Sequence, residues 1–287
     1  MPATRSSPGE EASSTPAPSD EEWEERLRII KAALIFWRER IKVPEKALPG
    51  SSLATDDQVH PEMPCSQLAW WGLSMGVEHL DATVALMEHQ VEKDKPIFPA
   101  ATYTVLRGAM LGASQAALLL CTPRREDRIN YALRIAHEEY RQEFNFRDTI
   151  INHAAVPETE RQTVTNSDFL ERAQNGMHRV KALLETRDGP KGKLTDTKMI
   201  ELAAKVVYRG ADADMLHLGA EMEWRLGSGS AHGRLLMNTH RPQAFTLEED
   251  GNTAFFSASK SAVIQQIATV FLTLQEAWRM WEPRKIP

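Results

Sequence analysis

The sequence predicts an all-α fold, a multi-helix bundle of about eight helices, and three observations predict it. Long segments place apolar residues at alternating steps of three and four. Ser, Thr, Pro and Gly punctuate those segments where helices start and stop. The 287 residues are 42% hydrophobic and 26% charged, which is ample for the core of one large domain. A tail, a loop and one small β-hairpin or extended flap complete the expected architecture.

Residues 1–19, MPATRSSPGEEASSTPAPS, hold Pro, Ser, Ala and Glu without an apolar run, and read as a disordered tail with no signal-peptide core. Residues 20–287 read as a single helical domain. Ser19 and Glu22 form a Ser-x-x-Glu capping box, so the first helix is expected from Asp20 to Lys42, where Pro44 stops it. Pro44 to Pro64, with Pro49, Gly50 and Pro61, reads as a loop. A long helix follows, striped by Leu73, Val77, Leu80, Val84 and Met87.

Pro99 opens a nearly apolar helix that is expected to be the central, buried one. Gly108, Gly112 and Ala116 stand four apart on it, leaving one side open to the backbone of another helix. Arg107 is the only charged residue between Ile97 and Pro123, and needs a carboxylate or an anion if buried. Glu78 or Asp81 on the preceding helix is the expected partner, and a structural clamp is the simpler use of the residue than an anion site.

Thr122-Pro123 is expected to cap and open a fourth helix. Ile129, Leu133, Ala136, Tyr140 and Phe144 form its apolar stripe, while Arg128, Arg134, Arg141 and Arg147 sit opposite, balanced by glutamates on a mixed-charge solvated face. A fifth helix is expected between Glu158 and Arg187, through Val164, Phe169, Ala173, Met177, Val180 and Leu184, before the turn Asp188-Gly189-Pro190. A sixth spans Thr197 to Arg209, ended by Gly210.

A further helix starts near Ala211. Residues 235–258 then change character: Phe245-Thr246-Leu247 and Thr253-Ala254-Phe255-Phe256 flank Asp250-Gly251 as a small hairpin or flap. The last helix carries Ile264, Ile267, Phe271, Leu274, Trp278 and Trp281 at unbroken steps of three and four.

Bulk properties narrow the functional classes. A net charge of −6 argues against a protein that coats DNA, although a local basic site remains compatible with it. The two cysteines, Cys65 and Cys121, form no CxxC or Cys/His cluster, so a reducing cytoplasm is the expected setting. No run of about 18 uninterrupted apolar residues is present, so no membrane association is expected. No cofactor motif occurs, and none is called for.

Polar chemistry concentrates in the helix from Ala211. Asp214, His217, Glu221, Arg225 and Ser228 step by three or four and so share one row, beside an apolar face of Met215, Leu218, Met222 and Leu226. The row leads into Arg225-Leu226-Gly227-Ser228-Gly229-Ser230-Ala231-His232-Gly233. Three readings are open. The row faces water, with Glu221 and Arg225 a simple pair; or Asp214, His217 and Glu221 hold a divalent ion, although the chain has no Glu-x-x-His to complete a helical di-metal site; or Arg225 and His232 act together on a phosphate.

Metal-free RNA cleavage needs a base for the 2′-hydroxyl proton, a cation for charge building on phosphorus and an acid for the leaving oxygen. Imidazole and guanidinium fit those needs, and seven residues return His232 to the face of Arg225. Ser228 and Ser230 could hydrogen-bond phosphate oxygens, with Glu221 orienting Arg225. Gly227, Gly229 and Gly233 weaken the helix at that point.

At these residues the chain resembles the HEPN superfamily of helical bundles, whose ribonuclease members carry an Arg, four to six intervening residues and a His. It departs from them at Leu226, where they place a polar residue. It also resembles a group of uncharacterised bacterial and phage helical proteins, through Glu78-His79-Leu80, Leu106-Arg107-Gly108-Ala109, Arg124-Arg125-Glu126-Asp127-Arg128 and the closing Ser228-Gly229-Ser230-Ala231-His232-Gly233. The HEPN resemblance implies a homodimer whose motifs meet in a shared cleft, metal-independent RNA cleavage or RNA or nucleotide binding at a local site, and a defence or toxin-type role. The competing expectation is a non-enzymatic helical interaction or scaffold protein that binds a partner through the 235–258 flap, with His232 a capping or packing residue.

Overall fold

The computed structural model describes residues 18–93, 96–165, 168–210, 212–234, 236–237, 240, 245–247, 254–256 and 258–287. Residues 1–17 of the expected tail and most of the 235–258 flap lie outside the described residues. Among those described, ten helices build an all-α bundle: α1 (Asp20–Ile41), α2 (Ser52–Asp57), α3 (Cys65–Glu92), α4 (Pro99–Cys121), α5 (Arg125–Asn152), α6 (Glu158–Thr165), α7 (Phe169–Glu185), α8 (Asp196–Val207), α9 (Ala213–Ala231) and α10 (Lys260–Lys285). A two-stranded antiparallel pair, β1 (Phe245–Leu247) and β2 (Ala254–Phe256), precedes α10, with Phe245 opposite Phe256.

α4 is the hub. It packs against α3 and α10 on one side, α8 and α9 on the other, and α5 at its C-terminal end. Ala, Leu and Cys from Ala116 through Cys121 are all buried, so a helix long and apolar enough by composition to cross a membrane is here the core of a bundle. Gly112 on α4 and Gly72 and Gly76 on α3 let the two backbones touch. A Cβ on Gly112 would lie 2.5 Å from the Gly76 nitrogen and 2.7 Å from the Gly72 carbonyl oxygen.

α10 and α1 close the other side of α3. The expected stripe of α10 is buried along its length, and Trp278 stacks on Trp37 at 6.1 Å and meets Trp70 edge-on at 5.6 Å. The capping box at Ser19 is formed in both directions, starting α1 where the sequence places it.

Several expectations are corrected. The loop from Pro44 to Pro64 contains α2, capped by Ser51, whose side chain accepts from the Ala54 amide. The fourth helix starts at Arg125 with no side-chain cap, because Thr122 instead ends α4. The single helix expected over Glu158–Arg187 is two, α6 and α7, and Phe169 at the start of α7 is exposed.

The solvated face expected on α5 is the largest departure. Arg128 and Arg134 are buried. Arg128 donates twice to one oxygen of fully buried Asp56, at 2.8 and 3.0 Å, and Arg125 holds the other oxygen at 2.9 Å. The remaining Arg128 nitrogen caps the Thr122 and Pro123 carbonyls. The ion cluster thereby ties α2 to the α4–α5 corner. Cys65 and Cys121 are buried free thiols, and burial pushes the Cys121 pKa up to about 12.

Candidate functional site

α9 is held on the bundle by small residues and one tryptophan. Ala220, Trp224, Gly227 and Ser230 form its buried side against α4 and α8. The Trp224 indole donates to Thr197 Oγ1 at 3.0 Å and lies 4.5 Å beneath the Arg107 guanidinium. Arg107 reaches Asp196 at 3.5 Å, rather than Glu78 or Asp81. It points away from α3, across α4 toward α8 and α9, while Asp81 pairs with Arg38 of α1.

The glycines of the motif do not break the helix, which runs on to Ala231. Gly229 is required by a close approach: a Cβ there would sit 2.4 Å from Met237. Gly233 takes φ +64°, a left-handed conformation that turns the chain out of α9 just past its cap, His232.

The outward side of α9 carries the polar row. Arg225 and His232 are both exposed at its C-terminal end. The Arg225 guanidinium is oriented by Glu221, whose Oε1 accepts from Nε at 3.0 Å and from Nη2 at 2.6 Å. On an exposed helix face this pair contributes only about 0.3–0.5 kcal/mol. Ser228 is partly buried on the same side. Ser230 faces inward, buried, and its hydroxyl donates to the Leu226 carbonyl at 3.2 Å. The structure thus brings Glu221 to Arg225 and separates Ser230 from the row.

Asp214, His217 and Glu221 do not converge. His217 Nε2 meets the Tyr208 carbonyl at 3.0 Å and Nδ1 is 3.8 Å from Asp214, while Glu221 serves Arg225. Among the described residues no group of three or more His, Cys, Asp or Glu is placed to hold a metal ion.

The apolar residues beside the row face solvent as well. Met215 is 71% exposed, Leu218 50% and Met222 53%. They step by three and four, so they form one stripe directly alongside Arg225 that is open among the described residues. Its sequence signal is visible, but the choice of which α9 face turns inward is made by Ala220, Trp224 and Gly227.

A second polar arrangement escapes the sequence entirely. Tyr140, expected as a stripe residue of α5, shares a 3.1 Å hydrogen bond between its hydroxyl and His60 Nε2, and His60 Nδ1 lies 3.2 Å from Glu62, which Arg179 also holds at 3.0 Å. His60 follows α2 and Tyr140 is eighty positions away, so no spacing announces the contact. Gly176 of α7 makes room for the ring, since a Cβ there would lie 2.6 Å from it. This line anchors the α2–α3 connection to the α5–α7 pair.

Comparison of the chain with protein-family models, with curated proteins and with solved structures finds no match in any of the three.

Proposed function

We propose that the chain is a homodimer formed through α9, and that pairing brings two Arg225/His232 sets to one cleft where they handle RNA phosphate without a metal. The observation that carries this reading is the exposed face of α9, on which an apolar stripe half or more open to solvent runs beside an exposed Arg and His. Covering what Met215, Leu218 and Met222 still expose recovers about half or more of the roughly 1.5–3 kcal/mol for fully burying such a side chain, and a two-fold pair doubles that contribution in favour of association.

In that cleft one His232 takes the 2′-hydroxyl proton as that oxygen bonds to phosphorus, and the second copy's His232, protonated, gives a proton to the 5′-oxygen as its bond to phosphorus breaks. Arg225, steered by Glu221, meets the phosphate oxygens. Ser228 lies on the same side, and Ser230 has no part. The resemblance to HEPN proteins supplies the RNA substrate and the defence or toxin-type role. Purified protein and a His232→Ala variant incubated with mixed RNA in chelator test the reading. The wild type is expected to release fragments and the variant none; absence of both cleavage and low-salt RNA binding by the wild type refutes it.

The same stripe favours one other reading, a non-enzymatic helical interaction protein. Arg225 is then simply the partner of Glu221, and His232 a helix cap. A dimer that neither binds nor cleaves RNA is the outcome that selects it.

A further inference from the structure

The connection between α7 and α8, residues 186–195, folds back over α5 and roofs a cleft of about 420 Å³. That volume lies within the range of about 300–1,000 Å³ common for small-molecule sites. Five cationic side chains line it against two acidic ones, in a chain whose net charge is −6. Of the acids, Glu138 is already committed to Arg141 and Lys193, and these contacts hold its carboxyl at about 2.

Arg134 is the fixed element. It is 7% exposed, and its Nε and Nη2 donate to the Gly192 and Lys193 carbonyls at 2.8 and 3.2 Å. Among the described residues no carboxylate pairs with it, and its third nitrogen, Nη1, has no hydrogen-bond partner. Burial lowers its pKa, with only Tyr131 opposing. A guanidinium stays charged under such conditions, so a buried one without an anion leaves charge uncompensated. Lys181 and Lys191 stand at the same cleft, and the Lys191 ammonium donates only to the Glu185 carbonyl at 3.0 Å.

We propose that this cleft binds a small phosphate-bearing molecule, gripped by the Arg134 guanidinium at its floor and by Lys181 and Lys191 at its mouth. A guanidinium fork held by two carbonyls presents its free edge in one orientation, which suits phosphate oxygens, while the lysines add charge without fixing geometry. The site is separate from α9 and does not rest on the reading given there.

Calorimetric titration of the full chain with pyrophosphate, orthophosphate and sulfate at matched ionic strength tests it. Saturable binding is expected for pyrophosphate, tighter than for orthophosphate, with sulfate weakest. The double variant Lys181→Ala/Lys191→Ala, which removes only exposed side chains, is expected to weaken pyrophosphate at least about tenfold with an unchanged thermal midpoint in its absence. Arg134→Lys is expected to weaken it similarly, and Lys42→Ala, at an exposed cation outside the cleft, to leave it unaltered. No saturable binding to the wild type, equal response to sulfate and pyrophosphate, or an equal loss in Lys42→Ala would overturn the proposal. Binding of single-stranded RNA but not of pyrophosphate at these lysines would overturn it too.

Discussion

Asp56 is where a single side chain matters most. Its carboxylate is fully buried and pairs with buried Arg128 through one oxygen and with half-exposed Arg125 through the other. Asp56→Asn keeps the shape and removes the charge, leaving the Arg128 guanidinium buried beside carbonyls alone. A loss of about 3–5 kcal/mol is expected in urea unfolding, whereas Glu25→Gln, which breaks the exposed Arg28–Glu25 pair, should leave the urea midpoint essentially unchanged. His60 responds to pH. Burial, the largest influence, holds it below the ordinary imidazole value; Glu62 opposes this and Arg179 adds to it. The unfolded chain therefore takes up the proton first as pH falls. Stability from this residue is complete above its unfolded value of 6.5 and is lost on acidification through the lower folded value. The urea midpoint of the wild type should drop more than that of His60→Gln between about pH 7 and about pH 5; equal slopes would contradict the assignment. Neither residue is legible in the sequence. Asp56 lies in a Pro- and Gly-flanked stretch that reads as loop, and Arg128 has the helical spacing of a solvated cation, since charge spacing records the helix and not what folds over it.

Among the elements, the α3–α4 contact and α9 show glycine in opposite roles. At Gly112 a methyl group has nowhere to go, because backbone atoms of α3 occupy the space. Gly112→Ala should cost about 3 kcal/mol or more through separation of the two helices. Gly219 on α9 has nothing within 4 Å of a Cβ, so Gly219→Ala should raise stability by about 0.5–1 kcal/mol through helix propensity. Thermal unfolding of the two variants checks both signs. The helices that the sequence places best are those whose large apolar residues do the burying: the stripe of α10 from Ile264 to Trp281 is unambiguous. α9 is harder for a physical reason. Met215, Leu218 and Met222 stay outside, while Ala220, Gly227 and Ser230 go in beside Trp224, so the aliphatic periodicity points to the wrong face. The split between α6 and α7 is missed because both halves continue one helical spacing.

For the whole molecule, the bundle leaves the Met215, Leu218 and Met222 face of α9 open among the described residues, and the proposed dimer covers it. Sedimentation of the full chain is expected to give twice the monomer mass, and Leu218→Glu to return it to the monomer with its helical circular-dichroism spectrum intact, because Leu218 is half exposed. The all-α class, the order of the long helices and the hairpin before α10 were readable from periodicity and caps. The tertiary choices were not, since they depend on Asp56 meeting Arg128, His60 meeting Tyr140, and the 186–195 connection covering Arg134. The proposed dimer joins the stripe to the Arg225/His232 pair, and the rate of RNA cleavage in chelator by Leu218→Glu measures that link most directly. The variant keeps both polar residues, so the account predicts that the wild type cleaves and the variant, monomeric, does not. Cleavage by the variant at the wild-type rate, or none by a dimeric wild type, would contradict it.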